Sequence, residues 1–202
     1  MKRILISSVV IVGIFLVFQI YTALATGKTE TQPYTIIRLE VGFEIRYYPA
    51  ATLAMVTSKA RSYKELGGSG FGKLAGYIFG GNKENKQIAM TSPVHMEIND
   101  SVSTMAFVLP AEFNAHNLPI PGDSSIAIRT AAPEYVAAVQ FGGFASDQNI
   151  SDHVVLLEEM LRKRGLKHHG NFRFLGYNPP YQPFGRRNEV IVTLIKEEVL
   201  QH

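Results

Sequence analysis

An internal repeat limits the possible folds of this 202-residue chain more than any other feature of its sequence. Residues 126–133 (IAIRTAAP) echo residues 43–49 (FEIRYYP), and a similar order of strands and a helix follows each segment. Three pairs of matched positions lie 82 to 86 residues apart: Arg46 and Arg129, Gly70 and Asp152, and Pro93 and Pro179. Two such units imply equivalent halves that pack about a pseudo-twofold axis.

Alternating apolar and polar residues predict strands at residues 35–41 and 43–48. Further strands are predicted at residues 52–57, 104–109, 135–141 and 189–195, the last from its apolar, β-branched run. Antiparallel pairing of these short strands predicts one sheet that curls toward a barrel. One helix from each half would cover the sheet. The predicted fold class is therefore α+β.

The first predicted helix covers residues 70–81. Helical spacing places one set of apolar residues together: Phe71, Leu74, Tyr77 and Ile78. These side chains either pack the helix on the sheet or line a groove for a flat ligand. The second half carries its helix at residues 152–164.

The ends and glycines of these helices give further expectations. Ser151 is the predicted N-cap of the second helix and Gly165 ends it. In the first helix, Gly72 and Gly76 each cost about 1 kcal/mol of helix stability relative to alanine. They serve either ordinary packing on the sheet or close approach to a backbone or flat ligand.

A proline-rich stretch, residues 176–187 (GYNPPYQPFGRR), precedes the last strand; we call it the proline corner. Its prolines and glycines forbid a helix and predict a fixed, turned path. Arg186, Arg187 and Glu189 indicate either an anion site or a salt bridge that pins the corner, and the salt bridge is favoured for at least one arginine. The match between Pro179 and Pro93 suggests that the corner is one of two related crossings.

The N-terminal residues predict export. Lys2 and Arg3 precede an apolar run at residues 4–18, and Ala23-Leu24-Ala25 has the small-x-small pattern of a signal-peptidase site. Residues 1–25 are predicted to be either a cleaved signal peptide or an uncleaved membrane anchor. The positive start places the domain outside the cytoplasm in both cases, and membrane contact is expected only through this segment. Residues 26–33 are a predicted linker, and residues 34–197 a single domain.

Charge and cysteine content exclude several functions. Without Lys2 and Arg3, 18 basic residues face 17 acidic ones, so the net charge of +3 falls to +1. A nearly neutral domain gives no electrostatic argument for a nucleic-acid partner. The chain has no cysteine, which excludes disulfides, thiolate metal sites and covalent haem attachment.

No residue pattern in the chain predicts catalysis. The common hydrolase, metalloprotease and nucleotide-binding motifs are absent. Asp152 and His153 are adjacent on a predicted helix, where their side chains diverge. The remaining candidate metal ligands, His95 with Met96 and the pair at residues 168–169, are more typical of ordinary core or solvated side chains.

Five segments together resemble the SOUL family of haem-binding proteins. They are residues 43–48 (FEIRYY), 70–74 (GFGKL), 88–94 (IAMTSPV), 140–144 (QFGGF) and 176–190 (GYNPPYQPFGRRNEV). The resemblance covers residue 34 to about residue 195, with the segments in the family's order. It implies a distorted antiparallel β-barrel flanked by two helices, similar to bacterial effector-binding domains. It also implies reversible, non-covalent binding of haem or a related tetrapyrrole.

The resemblance also indicates where a tetrapyrrole would bind. Tyr47 stands where some family members carry a histidine proposed as an axial ligand, and a tyrosine can ligate ferric iron. Lys73 is the basic residue nearest the positions that pair with haem propionates in the family. The predicted groove combines these two residues with the helical set: Tyr47, Phe71, Lys73, Leu74, Tyr77 and Ile78.

Two alternatives to haem binding remain at this stage. The chain could bind another amphipathic small molecule or a protein partner at the envelope, because several of the family's basic positions are neutral here. It could also act as an enzyme on tetrapyrroles, although no acid–base constellation predicts one.

Overall fold

The computed structural model describes residues 29–114 and 117–201. The predicted leader and residues 26–28 of the linker lie outside the described residues. Within the described ranges, no helix combines the length and the hydrophobicity that crossing a membrane requires. The described residues form these elements, in chain order: β1 (Glu30–Thr31), β2 (Thr35–Glu40), β3 (Phe43–Tyr48), β4 (Ala51–Ser58), α1 (Tyr63–Ile78), β5 (Thr91–Ser92), β6 (Val94–Glu97), β7 (Ser103–Val108), β8 (Ile126–Ala131), β9 (Glu134–Phe141), α2 (Asp147–Arg164), β10 (His168–Gly176), β11 (Asn188–Leu194) and α3 (Lys196–Gln201).

Nine of the strands form one antiparallel sheet in the order β2-β3-β9-β11-β10-β6-β7-β4-β8. Without β2, this order is symmetric about the contact between β10 and β6: each strand of one half occupies the same place as its counterpart in the other half. The short strands β1 and β5 pair in parallel as a separate two-stranded sheet. The α+β class and the two-fold repeat are therefore confirmed.

The register of the sheet repeats as well as its order. Glu44 of β3 pairs with Ala138 of β9, and Met55 of β4 pairs with Ala127 of β8. Adding 83 to residue 44 gives 127, and subtracting 83 from 138 gives 55. The pairing of β3 with β9 and the pairing of β8 with β4 are thus equivalent and differ by one repeat of 83 residues.

The proline match is the exception to this symmetry. Pro93 directly precedes β6, whereas Pro179 follows β10. Because β6 and β10 are equivalent strands, the proline corner corresponds to the short connection between β6 and β7. It is an expanded version of that connection, and the expected equivalence of the two prolines is wrong.

The two faces of the sheet bury different residues. The helix face carries the main core, in which strand residues such as Ile45 and Val56 pack with Leu66 and Leu74 of α1 and Leu157 of α2. The opposite face carries a smaller cluster: Tyr48, Val136, Ala138, Leu175, Tyr177 and Ile191, with Tyr34 against it. Alternation along each strand produces this division, because successive side chains point to opposite faces.

Both main helices begin earlier than the sequence predicted. The Ser62 side chain caps α1 by accepting from the Glu65 backbone N–H, so α1 starts at Tyr63 instead of residue 70. Ser146 caps α2 in a capping box with Asn149. Neither start is marked by the apolar spacing from which the helices were predicted. Gly165 ends α2 in the left-handed conformation, as expected.

Close packing of α1 occurs at a glycine that the sequence did not single out. A Cβ at Gly70 would lie 3.2 Å from the Met105 sulfur and 3.3 Å from Val56 Cγ2. Nothing lies within 4 Å of a Cβ at Gly72 or Gly76. Gly70 therefore allows α1 to approach the sheet, and the two glycines chosen from the sequence face away from it.

The domain is longer at both ends than the predicted range of residues 34–197. Glu30 and Thr31 pair with Thr91 and Ser92, and Gln32 is buried, so this part of the expected linker is folded onto the domain. At the other end, Val199 of α3 is 4% exposed and belongs to the main core.

Candidate binding site

An apolar groove of about 480 Å³ lies between helix α1 and the proline corner; we call it the corner groove. Its lining residues come from α1, the segment around β5, the start of β6 and the corner: Thr29, Phe71, Ala75, Phe79, Met90, Thr91, Ser92, Val94, Gly176, Tyr177, Asn178, Pro179, Pro180 and Tyr181. None of these side chains carries a charge. The groove is therefore suited to an apolar surface and offers no ion pair to a ligand.

Large aromatic side chains remain exposed at the groove. Phe71 on α1 is 41% exposed, Phe79 at the C-cap of α1 is 66% exposed, and Tyr181 on the corner is 58% exposed. Phe71, Ala75 and Phe79 are four residues apart, so they form one stripe along the helix. Exposed aromatic rings that converge on one concave surface are typical of a binding site.

Arg186 holds the corner wall of the groove in place. Its Nη1 donates to the carbonyl of Pro179 at 2.7 Å and to that of Gln182 at 2.8 Å. The guanidinium also lies over the Phe144 ring, 4.6 Å from its centroid. Burial lowers the pKa of Arg186 below its ordinary value, and the guanidinium donates to the carbonyls of Pro179, Gln182 and Asn178. Arg186 thus binds the backbone of the corner, and an anion site is not needed to explain it.

The opposite face of the sheet contains a buried ionic group that we call the arginine–glutamate cluster. Arg46 donates to both oxygens of Glu189, at 2.7 and 3.0 Å. Arg187 donates to Glu189 Oε1 at 2.7 Å, which confirms the salt bridge that the sequence favoured for one of the arginines. Tyr34 covers the cluster, with the Arg46 guanidinium 4.2 Å from its ring centroid.

Tyr177 connects this cluster to the corner groove. Tyr177 is one of the residues that line the groove, and its hydroxyl donates to Glu189 Oε2 at 2.9 Å. Arg187 stacks on the Tyr177 ring, 4.1 Å from the centroid. One residue therefore forms part of an apolar wall and part of a buried charge network.

The arginine–glutamate cluster favours the ionised forms of Glu189 and Arg46. Burial alone would raise the pKa of Glu189, but the hydrogen bonds and charges of Arg46 and Arg187 outweigh burial and lower it. Burial alone would likewise lower the pKa of Arg46, but Glu189 raises it above its ordinary value. For Tyr177, burial and the Glu189 charge both raise the pKa of the phenol. Glu189 is ionised at neutral pH, and Tyr177 stays protonated.

Of the six predicted groove residues, only Phe71 lines the corner groove. Leu74, Tyr77 and Ile78 are at most 1% exposed and belong to the main core. The Tyr77 hydroxyl donates to the carbonyl of Pro119 at 2.9 Å. These three residues lie on the sheet-facing stripe of α1, so they cannot line an open groove on its outer side.

The other two predicted residues lie elsewhere. Lys73 is exposed and donates to Ser125 Oγ at 3.1 Å, away from the groove lining. Tyr47 lines a separate cavity of about 710 Å³ with Tyr135, whose ring centroid is 5.2 Å away. The structure thus does not bring the predicted axial ligand and the predicted helix residues together.

The histidine candidates also lie outside the corner groove. His95 is buried on the opposite face, with its Nε2 2.8 Å from Gln32 Oε1. His153 stacks on Phe141 at a centroid distance of 4.1 Å. His168 and His169 begin strand β10. Within the described ranges, no group of three or more potential ligands could hold a metal ion.

Sequence reasoning missed the groove residues on the corner and on the outer side of α1. It placed the ligand near α1 but treated the proline corner as structural closure alone. The helical spacing of Ala75 and Phe79, four and eight residues after Phe71, could have indicated the groove side of α1. Tyr181 carried no such signal, because a single tyrosine between prolines has no periodic partner.

Comparison with known proteins agrees with the fold. The SOUL heme-binding protein family model matches residues 29–193. Heme-binding protein 1 of Xenopus laevis is 30% identical over 157 residues, which cover 74% of this chain and 82% of that protein. Heme-binding protein 2 of Mus musculus is 30% identical over 156 residues, which cover 73% of this chain and 76% of that protein.

Solved structures with the same fold have much lower sequence identity. The C-terminal domain of EcmrR superposes with a TM-score of 0.58 at 8% identity, covering 81% of this chain and 98% of that domain. A hydrolase from Listeria innocua superposes with a TM-score of 0.54, also at 8% identity, covering 76% of this chain and 91% of that protein. These likenesses show the fold alone. The family match covers most of the chain, and the chain therefore belongs to the SOUL heme-binding protein family.

Proposed function

We propose that this protein binds haem or a related tetrapyrrole non-covalently in the corner groove. The observation that carries the proposal is an open, charge-free groove with exposed aromatic side chains, in a chain whose family is described as heme-binding. The relatives named Heme-binding protein 1 and 2 support the same ligand class.

The groove fits a flat, largely apolar macrocycle. Phe71, Ala75 and Phe79 would contact one part of the ligand, and Pro180 and Tyr181 would contact another. Burial of several hundred Å² of apolar surface at ~25 cal/mol per Å², after the cost of association, supports affinity of about micromolar order. The carboxylates of a tetrapyrrole would remain in solvent, because the groove lining contains no cation.

When bound, haem would supply its iron chemistry, and the residues of the groove would supply binding. The aromatic wall of α1 would exclude water from the ligand surface. Arg186 would keep the corner wall in position by its bonds to the carbonyls of Pro179 and Gln182. Without a charged lining, the groove would release its ligand readily, which suits a carrier better than a fixed prosthetic group.

We further propose that the domain is exported, with residues 1–25 as a signal peptide or as the only membrane contact. The order of basic, apolar and small residues at the N-terminus supports this location. N-terminal sequencing of the protein from the cell envelope tests it. A mature start after residue 25 indicates cleavage, an intact start in the membrane fraction indicates an anchor, and protein confined to the cytoplasm contradicts export.

Haemin titration of the full-length protein tests the binding proposal. We expect a saturable change in Soret absorbance, weakened at least about ten-fold by Ala75→Arg, which places a long charged side chain in the groove. Ala127→Arg, at an exposed alanine on β8, is the matched control and should bind as the wild type does. The absence of saturable binding by the wild type would overturn the proposal.

If haemin does not bind but another amphipathic ligand does, the groove serves the second function considered from the sequence. The uncharged lining is the observation that favours this alternative. Ala75→Arg would then weaken binding of that ligand instead.

A further inference from the structure

The chain enters the described domain at the edge of the corner groove. Thr29, the first described residue, is one of the residues that line the groove. The short strand β1 follows it directly and pairs with β5, and both residues of β5 line the groove as well. The backbone N–H of Gln32 then donates to the carbonyl of Ser92 at 2.8 Å. The point where the N-terminal segment joins the domain is therefore fixed at the groove.

Only a short tether separates this entry point from the predicted leader. Residues 26–28 lie between Ala25 and Thr29. An extended chain advances about 3.3–3.6 Å per residue, so the Cα atoms of Ala25 and Thr29 can be at most about 14 Å apart. The headgroup layer on each side of a bilayer is about 5–8 Å thick. If residues 1–25 stay as an anchor, the groove is therefore held close to the membrane surface.

The internal repeat identifies the positions on α2 that correspond to the groove side of α1. The displacement of 83 residues that relates the two halves of the sheet also relates the helices. It carries Leu74 and Ile78 of α1 onto Leu157 and Leu161 of α2, and all four side chains are buried. The sheet-facing stripes of the two helices are thus equivalent.

The groove-side stripe of α1 differs from its counterpart on α2. The same displacement carries Phe71, Ala75 and Phe79 onto three positions of α2: Val154, Glu158 and Arg162. Both charged residues are exposed to solvent. The fold therefore accepts charge on this stripe, and packing does not require the aromatic rings of α1. A task that belongs to the first half alone explains them.

The corner groove has the composition that a lipid interface favours. No charged side chain lines it, so contact with lipid would remove no lining charge from water. Aromatic rings on the outer face of a helix favour the boundary between headgroups and acyl chains. A tetrapyrrole favours the same boundary, because its ring is apolar and its carboxylates are charged. The groove and its proposed ligand thus suit the same layer of a membrane.

We propose that the corner groove faces the membrane surface, with the outer stripe of α1 in contact with lipid, and that it exchanges its tetrapyrrole directly with the bilayer. This inference rests on the proposed function and on residues 1–25 as an anchor. It adds the groove as a second membrane contact. Phe71 and Phe79 contact lipid when the groove is empty and the macrocycle when it is filled. The tether raises the effective concentration of the groove at the bilayer, so weak contacts hold this orientation.

Tryptophan fluorescence of the full-length protein in phosphatidylcholine vesicles tests the orientation. The chain has no tryptophan, so an introduced one reports on its own position alone. Phe79→Trp places the probe on the groove stripe. Val155→Trp is the matched control, at an exposed residue of α2 that does not line the groove. We expect brominated phosphatidylcholine, which quenches tryptophan on contact, to reduce the emission of Phe79→Trp and to leave that of Val155→Trp unchanged.

Three outcomes would overturn the orientation. Equal quenching of the two probes would show that the groove side is not preferred, and quenching of neither would leave residues 1–25 as the only membrane contact. Protein that does not float with the vesicles, or that starts after residue 25 in the cell envelope, would lack the anchor on which the orientation depends.

The rate of haemin uptake tests exchange with the bilayer. Haemin dissolved in the vesicles that carry the protein should produce the Soret change faster than haemin supplied in separate vesicles, because it does not have to cross water. Equal rates would overturn direct exchange. No saturable change in either arrangement would contradict the proposed function instead, and the quenching result, which involves no haemin, would still decide the orientation.

Discussion

The corner groove and the arginine–glutamate cluster lie on either side of Tyr177 and differ in almost every physical property. The groove is open, apolar and without charge, whereas the cluster is buried and built from two arginines and a glutamate. Glu189 is 0% exposed, while Phe79 at the groove is 66% exposed. The difference shows that this domain uses its strongest charges to hold the fold together and leaves its candidate ligand surface free of them.

This division has a consequence for mutagenesis. Substitutions in the cluster should reduce stability and leave ligand affinity intact wherever the fold survives. Substitutions in the groove should do the reverse. Tyr177 belongs to both regions, so its ring and its hydroxyl should separate the two effects.

Glu189→Gln should give the largest loss of stability. Arg46 would remain 2% exposed without its main carboxylate partner, and a buried charge that loses its partner costs about 3–5 kcal/mol. Urea denaturation measures the free energy of unfolding. Glu44→Gln is the matched control, because Glu44 also bonds Arg46 but has a 32% exposed side chain. Its expected cost is about 1 kcal/mol or less. Equal losses of unfolding free energy in Glu189→Gln and Glu44→Gln would show that the buried pair of Arg46 and Glu189 contributes no more than the exposed pair.

Acidification should give the second-largest loss of stability, through His95 on the opposite face of the sheet. Burial, with a smaller contribution from the Arg173 charge, lowers the pKa of His95 to about 3. The unfolded chain binds this proton below about pH 6.5, so stability is fully present above that pH and is lost as pH falls toward 3. At pH 5 the loss from this group is about 2 kcal/mol.

Urea denaturation between pH 7 and 5 measures this loss. The window lies above the range in which Glu189 titrates, since the pKa of Glu189 is lowered. His95→Gln should flatten the dependence on pH, while His169→Gln, at an exposed histidine, should retain it. A wild-type stability that is constant over this range would contradict the assignment to His95.

Tyr177→Phe should produce a smaller effect that separates the two regions. It removes the hydroxyl that donates to Glu189 and keeps every other atom of this groove-lining residue. Loss of a hydrogen bond to a charged group costs about 1–2 kcal/mol, because Glu189 keeps its bonds to Arg46 and Arg187. Haemin affinity should stay unchanged in the same titration. A weaker affinity with unchanged stability would place the hydroxyl in the ligand site instead.

The sequence predicted the repeated fold well because the repeat consists of local residue patterns. Alternating or continuous apolar runs predict the strands, and the 83-residue displacement relates the two ladders. The sequence did not predict the pairing of Arg46 with Glu189, which are 143 residues apart and become neighbours only through the strand order β3-β9-β11. Arg187 lies two residues from Glu189, and its salt bridge was accordingly predictable.

The groove was predicted less well, because α1 is apolar on two stripes. Residues such as Leu74 and Ile78 face the sheet, while Phe71 and Phe79 face the corner. Helical spacing alone shows that both stripes exist but not which one meets the core. That choice depends on where the proline corner lies in space, which is a tertiary property. The early helix starts at Tyr63 and Asp147 were missed for a different reason, since their serine caps stand apart from the apolar spacing.

Phe79→Ser should have the smallest effect on stability and a clear effect on binding. The Phe79 ring is mostly exposed at the end of α1, so its loss should change the free energy of unfolding by about 0.5 kcal/mol or less. The same ring would be covered by a bound macrocycle, and haemin affinity should therefore fall about ten-fold. Val155→Ser on α2 is the control, because Val155 is 61% exposed and does not line the groove. If both variants bind haemin as the wild type does, the aromatic stripe of α1 does not contact the ligand. The arginine–glutamate cluster would then still be structural, but the corner groove would not be the haemin site.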